Sequence, residues 1–71
     1  MFSVMVHRLG GVTVPMGPYP THLEAVQARA EFVNGKREAG WKIAARGITT
    51  FLRGGSVKLE VWIERVNYDV N

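Results

Sequence analysis

An α+β fold of ββαββ order, a mainly antiparallel twisted sheet with one helix packed on one face, is what the sequence predicts. Three observations predict it. From Val57 to Glu64 apolar and polar residues alternate strictly, with Val57, Leu59, Val61 and Ile63 set between Lys58, Glu60, Trp62 and Glu64, the pattern of a strand with one buried face. Glycine pairs at Gly10-Gly11 and Gly54-Gly55 separate runs of β-forming residues, a hairpin signal. Between the two hairpins, Thr21 followed by Glu24 has the form of a capping box, in which each side chain satisfies an amide that the first helical turn leaves unpaired.

The first strand is read from Phe2 to Leu9, and a short second arm from Val12 to Val14 follows the Gly10-Gly11 turn. Pro15, Pro18 and Pro20 with Gly17 then predict an extended, irregular connector, because proline cannot donate to a ladder. A helix starts at His22. Leu23, Val26, Ala30 and Val33 recur at spacings of three and four and predict the stripe that faces the sheet. Asn34-Gly35 is one candidate stop, but Lys36 and Arg37 suit a last turn, which favours a helix running to Gly40. Phe32 falls about 130° from the stripe at 100° per residue, so it is either an exposed aromatic or a residue packed at the helix edge under the proline-rich connector.

The hairpin from Trp41 to Val66 organises the rest. With Gly54-Gly55 as the whole loop, Arg53 opposes Ser56, Leu52 opposes Val57, Thr50 opposes Leu59 and Ile48 opposes Val61. Continuing that count would turn Ala45, Ile43 and Trp41 to the polar side, so a bulge is predicted near Arg46-Gly47, where one extra residue restores the parity. The same register sets Phe51 beside Lys58 and Trp62 beside Gly47 on the outer face. Two large aromatics there are either covered by another strand or the tail, or they form a binding surface.

The 71 residues are read as a single small domain, 1-71, with a frayed tail at about 67-71. No cysteine is present, so stability must come from packing or self-association, and a homodimer is expected in which the last strand offers an edge and Phe51, Trp62 and Phe32 are hidden. The first residues lack the pattern of a secretory signal, and no stretch approaches the roughly 18 apolar residues of a spanning helix. A cytoplasmic protein without membrane contact is the expectation. Nine Lys and Arg against six Asp and Glu give a net +3, which permits acidic partners.

Constellations for chemistry are not found. His7 and His22 stand apart, no hydroxyl has a nucleophile context, and Glu60 and Glu64 lie about 13 Å apart along one strand, too far to act on one bond. The reading is no enzyme, no cofactor and no metal site. A mixed-charge face with central aromatics predicts a non-enzymatic protein-interaction domain using Phe51, Trp62, Phe32 and Lys58, with an unidentified protein partner. The alternative is a nucleic-acid binder using Arg46, Arg53, Lys58 and Trp62 on the same ribbon.

Two resemblances accompany this reading. The segment GPYPTHLEAVQARAEF, Gly17 to Phe32, resembles the strand-to-helix entry GPF-x-x-x-x-EA of SPOR domains, which implies peptidoglycan binding. Those domains carry two helices and are normally exported, whereas this chain offers one helix and no signal. The size and the Arg, Val, Gly and Ala usage look like small orphan proteins of actinobacteria and their bacteriophages, which implies a phage or host accessory role.

Overall fold

The computed structural model describes residues 1–66; the tail expected to fray at 67–71 lies outside them. The chain forms β1 (Phe2–Arg8), β2 (Thr13–Tyr19), α1 (His22–Glu38), β3 (Lys42–Arg46), β4 (Thr49–Gly54) and β5 (Val57–Arg65). All five strands join one sheet in the order β2-β1-β5-β4-β3, and every neighbouring pair is antiparallel. The α+β class with one helix across one face is as the sequence predicts.

The strand count is five rather than four, and Gly47 is the reason. It is not a bulge but part of a tight turn: its φ is +60°, and Arg46 pairs directly with Thr49 across Gly47-Ile48. Reversing direction there restores the parity that the bulge was invoked to restore, so Ile43 and Ala45 pair with Leu52 and Thr50 on the helix side. The next turn also sits one residue later than predicted. Gly54 pairs with Val57, leaving Gly55, at φ +61°, and Ser56 as the loop. Gly54 is held in the strand because the Trp41 ring lies against it, where a Cβ would collide with the indole. Leu52 therefore faces Leu59 and Arg53 faces Lys58; the register moves by an even number, so each residue keeps its face.

The proline-rich segment is a strand, not an irregular connector. β2 is an edge strand, where only alternate backbone groups meet a neighbour and proline is tolerated. The register slips between Phe2 and Val4 opposite Gly17 and Pro18, and the Gly17-Pro18 peptide is cis.

The helix begins as predicted. The Thr21 hydroxyl accepts from the Glu24 amide at 3.2 Å, and the Thr21 amide donates to the Glu24 carboxylate at 3.3 Å. It also runs the longer course, ending with Ala39 as C-cap. Its buried face differs from the expected stripe. Ala25 is fully buried and Ala28, Phe32 and Val33 pack on the core, whereas Leu23 is 65% exposed and Ala30 is exposed. At the helix start the His22 ring meets Phe2 edge-on at 5.3 Å, and the small Ala25 sits in the buried core with Phe32 packed against it. Phe32 is thus partly buried against the core rather than an exposed aromatic.

Val4, Ala25, Leu52, Leu59 and Val61 form the buried core. It lies between α1 and the central strands β1, β5 and β4. The position of β5 corrects the dimer expectation in one respect: the last strand is not an edge but is flanked by β1 and β4. The N-terminal strands extend the sheet beside it instead of covering Phe51 and Trp62.

Candidate functional site

Strand alternation assigns each residue of β3, β4 and β5 to one of two faces. Leu52, Leu59 and Val61 point to the helix, so Lys42, Ala44 and Arg46 of β3, Phe51 and Arg53 of β4, and Lys58, Glu60, Trp62 and Glu64 of β5 lie on the face away from it. Cross-strand pairing arranges them in rows. Lys42, Arg53 and Lys58 stand directly opposite one another across β3, β4 and β5. The next row is Ala44, Phe51, Glu60 and His7, and beyond it Trp62 pairs with Met5. Glu64 and Ser3 follow. One edge of the face is therefore cationic, its middle aromatic, and its far end mixed.

Like charges directly opposite each other on a sheet are destabilising. Lys42, Arg53 and Lys58 make two such contacts in succession. The remaining charges accentuate the row: α1 carries Arg29, Lys36 and Arg37 against Glu24, Glu31 and Glu38 and is neutral, while the strands carry Arg8, Lys42, Arg46, Arg53, Lys58 and Arg65 against Glu60 and Glu64 alone. The positive charge of the described residues thus belongs to the sheet. Within the face, the Arg46 guanidinium sits over the Phe51 ring at 5.9 Å, a contact that leaves its outward N–H groups free to donate.

Part of this face lines an open depression of about 470 Å³, with Phe51, Ala44 and Leu9 among its apolar parts, Lys42, Arg46, Arg53 and Lys58 as its cations and Glu60 as its one anion. Leu9 closes one side because its amide donates to the Lys58 carbonyl at 3.0 Å, continuing the β1–β5 ladder past Arg8. Phe51 is 37% exposed. Trp62 is half-buried, against Met5.

Of the residues singled out from the sequence, Phe51, Trp62, Lys58, Arg46 and Arg53 do share one face. Phe32 does not; it packs on the opposite side, beneath the helix. Two details differ from the expected register. Phe51 is opposite Glu60 rather than Lys58, and Gly47 is in a turn rather than beside Trp62. Lys42 is the residue that sequence reading missed, although its alternation with Ile43 and Ala44 marks it as outward-facing. The cationic row itself was hidden by the turn, since a loop placed one residue early sets Arg53 against Ser56 instead of Lys58.

Among the described residues no three His, Asp or Glu side chains come together in a group able to hold a metal ion. No helix is long and apolar enough to cross a membrane. The chain matches no family model, no curated protein and no solved structure.

Proposed function

We propose that the helix-free face of the sheet binds nucleic acid, and that the chain is a small non-enzymatic accessory protein acting in the cytoplasm. The observation that carries this reading is the row Lys42, Arg53 and Lys58, opposed across three strands. Such a row lowers stability in the free protein. An anionic ligand reverses the sign of that cost, because phosphates placed between the cations neutralise their mutual repulsion and release counterions. Positions where a sequence breaks a local stability rule are where function is expected. The depression beside the row adds an apolar floor in Phe51 with a guanidinium above it, the combination suited to a base next to its phosphate.

The test is fluorescence anisotropy of a labelled oligonucleotide across a salt series. The expected result is binding at low salt, with log K falling linearly in log salt at a slope of about −2 to −3 for three phosphates. Substituting Lys42, Arg53 and Lys58 together with glutamine should abolish most of that slope. Absence of binding at low salt ends the reading.

A second reading, a protein partner including a second copy of this chain, is favoured by Glu60 and Glu64, which interrupt the cations on the same face as charged residues at the rim of a protein interface do. Sedimentation equilibrium on wild type and Trp62→Ser separates the self-association form of it: a dimer that weakens in the variant supports it, and a monomer at high micromolar concentration removes it.

A further inference from the structure

Resting on the reading of this face as a nucleic-acid surface, we infer that its ligand is single-stranded, with two successive bases stacked on Phe51 and Trp62. The placement of the two rings favours this ligand. Phe51 pairs across β4–β5 with Glu60, and Trp62 is two residues further along β5 on the same face, which makes the aromatics diagonal neighbours about 7 to 8 Å apart at their Cα atoms. That separation is of the order of one nucleotide step along an unstacked strand, and too long for both rings to sandwich one base.

Charge fixes where the backbone runs. The row Lys42, Arg53 and Lys58 lies on the side of Phe51 away from Trp62, and Arg46 stands over the Phe51 ring. A strand entering across the cationic row meets Phe51 first and Trp62 second, and then leaves toward Glu64, where no cation of the face holds it. The face therefore holds a short segment tightly at one end, not a long tract evenly.

A duplex cannot use this arrangement. Its bases are stacked on each other and offer only their edges, so the two rings would contribute nothing, and Phe51 lies within a depression that it shares with Lys42, Arg46, Arg53, Lys58 and Glu60. Unpaired bases have free π-faces, and every base has one, so the inference carries no sequence preference. Glu60, paired with Phe51, repels a phosphate placed over the ring and favours the orientation in which the base covers Phe51 and the phosphate lies toward Arg53.

The experiment compares one labelled oligonucleotide as a single strand, as a duplex with its complement, and as a single strand in which two adjacent central nucleotides are abasic. The expected order is single strand tightest, with the abasic strand and the duplex each weaker by about ten-fold or more. Phe51→Leu, which keeps apolar volume and removes the π-face, should weaken single-strand binding roughly 5- to 100-fold while leaving the salt slope unchanged, and Phe51→Tyr should restore it. Trp62→Leu should do the same to a similar extent, with thermal melts confirming that both variants fold. If the duplex binds as tightly as the single strand, or the abasic strand binds as well as the intact one, the stacking inference is wrong while the nucleic-acid reading survives. If none of the three binds at low salt, the nucleic-acid reading has failed as well.

Discussion

The two faces of the sheet are built from the same strands, residue by residue in alternation, yet they obey opposite rules. On β4, Leu52 is 2% exposed under the helix while Phe51 and Arg53 on either side of it face outward. The centre of the helix side, Val4, Leu52, Leu59 and Val61, is made of groups that gain by leaving water. On the far side cations are opposed to cations and an aromatic lies open, both of which work against stability in the isolated chain. The difference teaches that β-strand periodicity assigns residues to a face, while the conflict between neighbours tells which face is reserved for something other than packing.

Substituting single residues of β4, its hairpin and the helix start sharpens the contrast. The largest effect is expected from Leu52→Ala, which removes a core side chain and should cost about 2 to 5 kcal/mol, read as a lower midpoint in urea unfolding. Phe51→Ser, its neighbour, should cost clearly less, about 1 kcal/mol, because its ring is only partly covered; equal losses at both sites would erase the two-face distinction. Next is Gly54→Ala. Its methyl group meets the Trp41 ring, so a loss of about 1 to 3 kcal/mol is expected together with a shift in tryptophan emission. An unchanged melt would mean that Trp41 does not lock this turn. Third, Thr21→Ala deletes the acceptor for the Glu24 amide and should cost about 0.5 to 2 kcal/mol, with a matching loss of helical circular dichroism.

The smallest expected effect has the opposite sign. Arg53→Gln removes the cation that faces both Lys42 and Lys58 and should stabilise the protein by roughly 0.2 to 1 kcal/mol at low salt. The gain should fade as added salt screens the pairs. A destabilising result, or one indifferent to salt, would mean that the row is already relieved within the chain, and the argument for a bound anion would lose its basis.

Much of this was legible from residues alone, and unevenly so. The face of every β5 residue followed from strict alternation, because a period of two allows only two answers and Val57 to Ile63 chooses between them. The helix start followed from Thr21 and Glu24, a local device that needs no tertiary contact. Its buried face did not. Apolar residues are spread around α1, and which of them meet the sheet, Ala25, Ala28, Phe32 and Val33, depends on tertiary packing that spacing does not show. The turn at Gly54 was misplaced because two adjacent glycines are locally equivalent, and only the remote Trp41 ring distinguishes them. On the candidate site the consequence was specific: five of its residues were identified and brought to one face, but the opposition of Lys42, Arg53 and Lys58 depends on that one-residue choice and was out of reach.

The place of β5 has a consequence for how the molecule comes into being. It is the last strand in chain order and yet lies at the middle of the sheet, with its successor Val66 donating to the Met1 carbonyl at 2.8 Å. Without it, β1–β2 and β3–β4 are two hairpins that share no strand pairing, and an isolated hairpin is marginal in water. Closing β1 onto β5 spans nearly the whole described chain, so the entropy of that closure falls due at once and folding is slow for so small a domain. The helix can pack on β1 and β2 as soon as they and it are made, but the two halves of the sheet meet only through β5. The sheet thus hangs on one strand, and a cut between β4 and β5 that releases β5 would separate its halves.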